Sequence, residues 1–464
     1  MPTERFICIA GAGNIGCFVG GLLAAAGHRV TLLARSRTIE AIQSRGLQLS
    51  DFEGLELTIP ADRLALSDDP AIMAGADTIL VTVKSADTPE IAGLIAAHGA
   101  EDASIVSLQN GVRNTLVLRE RLPGRRVLGG MVPFNVLAPE AGRYHRATSG
   151  EVAIEHDSSG LAARLSVPHL KVKSTADIVG LQWGKLLINL NNALNALSGL
   201  PLSQQLAQRP WRLLLAAQME EGLAAMKANG LRPVSSTPIP PALAAWLLRL
   251  PDGLFRIVLG RSMTIDPKAR SSMWEDLQHG RPTEIDYLQG EIIKLAERHG
   301  LSVPLSRRIV DLVHAAEMAA SGSPGLSPAQ IWPCFFLAAR QSRRAFACAA
   351  PNSFFRSLIP SATRGHSQEN ESLAHPLIFG CGLGSALVLR IRGAGRGTGT
   401  GAVAASCRSE TCCACSCLAL RAAVMLLCRS RSKNAVYCSS IYRCSSGVGL
   451  GPAMSKLRFC MKSK

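Results

Sequence analysis

Cysteine is nearly missing from the first 333 residues of this 464-residue chain. Cys8 and Cys17 are the only two there, and the other 12 of the 14 follow. Two scattered thiols exclude a disulfide framework for that body and suit a reducing compartment. An excess charge of one sign is missing from it too. Of the 50 Lys+Arg, 18 lie after Pro333; of the 34 Asp+Glu, only Glu369, Glu371 and Glu410 do. The body keeps 32 basic and 31 acidic side chains. The formal +16 of the whole chain, which by itself suggests a nucleic-acid or membrane partner, therefore belongs to the last third. Long charge-free apolar runs are also lacking. One of the two longest, Leu186 to Gln208, is broken by asparagines and Pro201 and makes a poor membrane span. The start, "RFICIAGAG", enters a strand pattern without the charged, apolar and cleavage regions of a signal peptide. The expectation is a soluble, cytoplasmic body with no membrane or nucleic-acid partner, large enough for two domains.

The last third, residues 333–464, lacks a sustained helical or strand period. "IRGAGRGTGTGAVAASCRSETCCACSC" is low in complexity and offers little to bury, so the tail is expected to be disordered or aberrant, as from a shifted reading frame. Cys412, Cys413, Cys415 and Cys417 are not two separated C-x-x-C pairs and have no histidine close by. No metal site is expected from them.

The most legible segment is "FICIAGAGNIGCFVGGLLAAAGHRVTLLAR". Phe6 to Ala10 reads as a strand, the next stretch as a helix to Gly27, and "RVTLLA" as a second strand. Between strand and helix stands G-x-G-x-x-G: Gly11, Ala12, Gly13, Asn14, Ile15, Gly16. Gly11 permits the tight turn, Gly13 lets a pyrophosphate approach the backbone, and Gly16 allows close packing of helix on sheet. Free N–H groups and the dipole at the helix start favour the phosphates. An NAD binder places a carboxylate at the end of the second strand. Here the residues are Ala34, Arg35, Ser36 and Arg37, and a guanidinium suits a 2′-phosphate. Arg35, with Arg37 in support, points to NADPH.

Further strands are expected at 77–84, 103–111, 126–132 and 150–155. Two end in polar residues, Lys84 and Asn110, where a parallel sheet presents ligands. Read alone, Lys84 serves equally as a surface lysine and Asn110-Gly111 as a turn. The reading for residues 1–177 is an α/β domain with a Rossmann-type parallel sheet.

From about Ile178 the pattern turns helical, and residues 178–332 are expected to be an all-helical domain. "WGKLLINLNNALNALSGL" (183–200) places Lys185, Asn189 and Asn192 on one face of an otherwise apolar helix. Such a stripe needs a cleft, a ligand or a neighbouring helix; structural asparagines capping loops fit it equally well. In "SSMWEDLQHGRPTEIDYLQGEIIKLAERHGLSVP" (271–304), Thr283 reads as the N-cap of a long helix. Glu284 and Asp286 fall in its first turn, where the dipole favours acids with or without chemistry.

"GAGNIG", "TVK", "LQNGV", "WGKLLINLNNALNAL" and "SSMWEDLQHGRPTEIDYLQGEI", in this order, resemble the ketopantoate reductase family over residues 4 to 332. The last two are specific to it. The resemblance implies a Rossmann domain and a helical domain with the active site between them. It also implies reduction of 2-dehydropantoate to (R)-pantoate by NADPH, in pantothenate synthesis. Matched to its motifs, Lys185 resembles the catalytic lysine, and Glu284 the glutamate that binds the substrate's hydroxyl end and supports the lysine. Asn189 and Ser272 match substrate positions, Asn110 the residue near nicotinamide and substrate, and Lys84 a cofactor-side lysine. Where the family often has asparagine eight residues after the lysine, this chain has Ala193, and Asn192 stands in as a substrate residue. That departure keeps open a different branched 2-oxo acid. A regulator that binds NADPH without chemistry is the other alternative. The segment between "GEVAIE" and "LQWGK" is short for a further strand and helix. The partner implied is a small 2-keto acid, on a monomer or homodimer.

Overall fold

The structure, a computed structural model, describes residues 6–237, 239–259 and 269–333, and beyond them the backbone of four short strands. The first half runs β1 (Ile7–Ala10), α1 (Asn14–Ala25), β2 (Val30–Leu33), α2 (Ser36–Arg45), β3 (Leu47–Asp51), β4 (Glu56–Ile59), β5 (Leu64–Ser67) and β6 (Thr78–Val81). It continues through α3 (Thr88–His98), β7 (Ser104–Ser107), α4 (Asn114–Arg121), β8 (Arg126–Met131), β9 (Val136–Glu140), β10 (Arg143–Arg146), β11 (Val152–Glu155), α5 (Leu161–Leu165) and β12 (Val172–Thr175).

Strands β1, β2, β6 and β7 are buried at every residue, as strands covered on both faces must be. Six strands in the order β5-β2-β1-β6-β7-β8 pair in parallel. This is the doubly wound order that opens a crevice where the winding reverses, beyond the ends of β1 and β6. β11 then adds antiparallel to β8, and β12 parallel to β11.

Two features of this half depart from the sequence reading. A second sheet, β4-β3-β10-β9, was not expected. It packs on α1, where a Cβ on Gly21 would come within 2.8 Å of Leu47 and Leu49. The segment taken as short does hold a helix and a strand, α5 and β12. They fit because α5 has only five residues, started by Gly160 at φ +74°, and β12 only four.

Every regular element described from Ile178 to Pro333 is a helix. They are α6 (Ile178–Asn189), α7 (Asn191–Ser198), α8 (Leu202–Ala207), α9 (Arg209–Ala228), α10 (Pro241–Leu247), α11 (Asp252–Leu259), α12 (Ser272–Gln278), α13 (Ile285–Glu297), α14 (Pro304–Ala319) and α15 (Pro328–Ile331). Leu186, Leu187, Leu190 and Leu194 enter a core with residues such as Trp211, Leu288, Ile292 and Val313. The single helix expected over 183–200 is instead α6 and α7, divided at Leu190. Gln289 Nε2 of α13 donates to the Leu190 carbonyl at 2.9 Å, and a side chain entering the helical ladder is a recognised cause of a break. The N-cap of α13 is Glu284 rather than Thr283. The Thr283 N–H is held by Glu317 Oε1 at 2.7 Å, while its hydroxyl still accepts from Ile285 N at 3.3 Å.

In the tail, β13 (Leu377–Cys381), β14 (Ser385–Ile391), β15 (Val403–Cys407) and β16 (Leu457–Arg458) pair antiparallel in sequence order, although no strand period was expected there. Apolar bursts such as "SALVLRI" carry them. The rest of the tail, including Cys412, Cys413, Cys415 and Cys417, lies outside the described residues. No helix among the described residues is long and apolar enough to cross a membrane.

Candidate active site

The glycine turn joins β1 to α1, and its three glycines meet different surroundings. Gly11 has φ +96°, and a Cβ there would strike Val83. A Cβ on Gly16 would lie 2.5 Å from Thr82 Oγ1 and 2.8 Å from the Gly11 carbonyl. A Cβ on Gly13 would meet nothing within 4 Å, so that position opens outward. Ala12 is tied to β2 through Ala12 N to Leu33 O at 2.9 Å, and Thr82 Oγ1 donates to the Gly11 carbonyl at 2.6 Å. Asn14, Ile15 and Gly16 begin α1 with amides that have no acceptor inside the helix. Asn14 Nδ2 is anchored to the Val136 carbonyl at 3.1 Å. A backbone open at Gly13, before a run of free N–H groups, fits a dinucleotide pyrophosphate. Arg35, the residue before α2, and Arg37 are exposed, and neither makes an ion pair among the described residues.

Next to this cradle, the loops after β6 and β7 meet α6, α12 and the start of α13. Lys185 Nζ donates to Asn110 Oδ1 at 2.7 Å. That is its only hydrogen bond among the described residues, so two of its three N–H groups remain for a ligand. Burial pulls its ammonium down from 10.5 to about 8, against the opposing pull of the Glu284 carboxylate. Glu284 reaches across from α13 to the sheet half. Its Oε1 accepts from Ser85 N at 3.1 Å and Ser85 Oγ at 2.8 Å, and its Oε2 from Asn110 Nδ2 at 3.3 Å. Asn110 therefore lies between base and acid, its amide turned so that each end meets the right partner.

Lys84 is engaged with the helical half. Its Nζ pairs with Asp276 Oδ1 at 2.8 Å and donates to the Pro282 carbonyl at 2.9 Å. Arg281 Nε approaches the same Asp276 oxygen at 3.3 Å. Burial pushes the Asp276 carboxyl up, opposed by Lys84 and Arg281. The sequence reading missed Asp276, Ser85 and Asn114, because each acts through a partner far away in the chain.

The asparagines of 189–195 divide into two kinds. Asn191 and Asn195 are structural. Asn195 Nδ2 donates to Leu200 O at 2.8 Å and Gln205 Oε1 at 3.0 Å, and its Oδ1 accepts from Ser271 N at 2.8 Å. Asn191 Oδ1 accepts from Gln205 Nε2 at 3.2 Å. The side chains of Asn189 and Asn192 are half-buried with no hydrogen bond among the described residues. Ser271 caps α12, accepting from Trp274 N at 3.1 Å and donating to Asn192 O at 3.0 Å. The next residue, Ser272, keeps its hydroxyl unpartnered among the described residues. Ala193 is fully buried in the helical core. Asn195→Ala strands the Ser271 N–H and should lower stability by about 2 kcal/mol; the urea midpoint checks it. Among the described residues no three His, Cys, Asp or Glu side chains are grouped to hold a metal.

The profile of the family described as Ketopantoate reductase PanE/ApbA matches residues 7–158, and that of its C-terminal part, Ketopantoate reductase PanE/ApbA C terminal, residues 177–317. The structure of a PanE/ApbA family ketopantoate reductase from Ralstonia eutropha is similar at TM-score 0.59 and 31% identity, over 68% of this chain and 99% of that one. The chain belongs to the ketopantoate reductase family. Two 2-dehydropantoate 2-reductases are similar to this ketopantoate reductase family member along nearly their whole length. The one from Halobacterium salinarum is 29% identical over 67% of this chain and 98% of its own. The one from Pyrococcus horikoshii is 28% identical over 68% of this chain and 99% of its own. The family's members are oxidoreductases acting on a small keto acid.

Proposed function

We propose that this chain reduces 2-dehydropantoate to (R)-pantoate with NADPH, with Lys185 as the proton donor. The observation that carries the reading is the contact of Lys185 with Asn110, with Glu284 beside them and two lysine N–H groups free. Residues 1–177 bind the dinucleotide in this reading, and residues 178–332 complete the substrate site. Gly11 to Gly16 hold the pyrophosphate, and Arg35 the 2′-phosphate.

When bound, the nicotinamide supplies hydride to the keto carbon. The carbonyl oxygen then gains a negative charge and needs a proton. Lys185 stabilises that charge and passes one proton from Nζ to the oxygen, giving the 2-hydroxy acid; the neutral amine regains its proton from water. Asn110 orients Nζ. Glu284 takes the substrate's terminal hydroxyl and favours the charged lysine. Asn189, Asn192 and Ser272 offer unpartnered polar groups to the substrate, and Lys84, the cofactor-side lysine by resemblance, is held by Asp276 and the Pro282 carbonyl.

An NADPH-oxidation assay of the purified protein with a panel of 2-keto acids tests this. The highest kcat/KM should fall to 2-dehydropantoate, and no turnover of it would end the reading. Ala193, at the position where the family resemblance implies an asparagine, keeps as second reading another branched 2-oxo acid, which the same panel identifies. The two N–H groups that Lys185 keeps for a ligand, with Glu284 nearby, speak against a regulator without chemistry.

The reaction should also lose speed at high pH. The acid form of Lys185 is required, so kcat/KM for reduction should be level below about 8 and fall about tenfold per pH unit above it. A profile still level at pH 10 would exclude Lys185 as the donor.

A further inference from the structure

Behind Glu284 lies a chain of side chains whose donors and acceptors leave little choice of direction. Ser107 Oγ donates to Gln109 Oε1 at 3.0 Å, which turns Gln109 Nε2 toward Thr88 Oγ1 at 2.8 Å and Val83 O at 3.1 Å. Thr88 Oγ1 has one proton and two acceptors in reach, Ser85 O at 2.9 Å and Asn114 Oδ1 at 3.0 Å; the Asn110 carbonyl, which can only accept, turns Asn114 Nδ2 to the other side. It donates to Ser85 Oγ at 3.1 Å and to the Asn110 carbonyl at 2.5 Å. Ser85 Oγ thus accepts from Asn114 and has one proton to give. Two acceptors are in reach: Glu284 Oε1 at 2.8 Å and the Asn110 carbonyl at 3.1 Å. The carbonyl is already served by Asn114, while the carboxylate is nearer and charged and forms the stronger bond. The backbone N–H of Ser85 gives to the same carboxylate oxygen.

We infer that Ser85 is a positioning residue for the reduction, its hydroxyl and N–H together holding the Glu284 carboxylate in place to support Lys185. The inference rests on the roles proposed above for Lys185 and Glu284 and extends them to a residue that acts through Glu284. Ser85 is 2% exposed. Removing its hydroxyl leaves Asn114 Nδ2 and Glu284 Oε1 each short of a partner. The carboxylate then swings on its remaining bonds. The charges facing it are Lys185 and, on the side of α12, Asp276 with Lys84 and Arg281.

The test uses the full chain as Ser85→Ala and Ser85→Thr. Two readouts are taken: steady-state reduction of 2-dehydropantoate, and the titration midpoint of Lys185 by side-chain NMR of 15N-lysine-labelled protein. The Lys185 signal is assigned by its loss in Lys185→Arg. In Ser85→Ala, kcat should fall about tenfold, a typical loss for one bond to a charged group. NADPH affinity should stay within about twofold. The Lys185 midpoint should move down by about half a pH unit, because a loosened carboxylate supports the ammonium less. Ser85→Thr should restore both. A Ser85→Ala protein with wild-type kcat and an unmoved midpoint overturns the inference. If the midpoint moves but the wild type reduces no 2-keto acid, the positioning role stands and the proposed function falls.

Discussion

Lys185→Ala should lower kcat for reduction by about a thousandfold while leaving NADPH affinity within about twofold. The ammonium has two tasks at the keto oxygen, charge stabilisation and proton delivery, and both vanish together. The cradle at Gly11 to Gly16 belongs to the other half of the site and shares no hydrogen bond with Lys185. Nucleotide binding should therefore be spared. Stopped-flow hydride transfer together with fluorescence titration of NADPH separates the two effects. A variant with full turnover would remove the mechanism, and one that loses NADPH in equal measure would place the lysine on the cofactor instead.

Arg35→Asp should weaken NADPH by about a hundredfold and NADH by no more than about threefold. The 2′-phosphate carries up to two negative charges. A guanidinium that forms charge-assisted bonds to it is exchanged for a carboxylate that repels it, a change of about 3 kcal/mol. Arg35 is exposed and unpaired among the described residues, so its loss strands no partner inside the protein. Titration with both nucleotides reads the ratio directly. Equal losses would show that discrimination lies elsewhere, with Arg37 the next residue to change.

How much of the site was legible depends on how far each residue must reach. The glycine turn was readable because strand, turn and helix are contiguous; that Gly11 meets Val83 and Gly16 meets Thr82, in the loop after β6, was not. Lys185 stood out as a charge in an apolar helix. The helical face it shares with Asn189 and Asn192 was readable too: among the described residues those two keep unbonded side chains, while Asn191 and Asn195, off that face, are bonded to Gln205. Ser85 and Glu284 are 199 residues apart and nothing local marks the pair. The break at Leu190 was equally hidden, since the residue that enters the ladder, Gln289, lies 99 residues away.

The amino-acid order alone determined the alternation of strand and helix, the glycine turn between β1 and α1, the arginines beyond β2 and the shift to helices near Ile178. All of these are set by periodicity, by glycine's missing Cβ and by short-range charge. The tertiary structure alone decided what Asn191 and Asn195 bond to, that Lys84 pairs with Asp276, and that Glu284 is gripped from the opposite half by Ser85 and Asn110. Hydrogen bonds act over about 3 Å. Only packing of the sheet against the helices brings residues so distant in the chain within that reach.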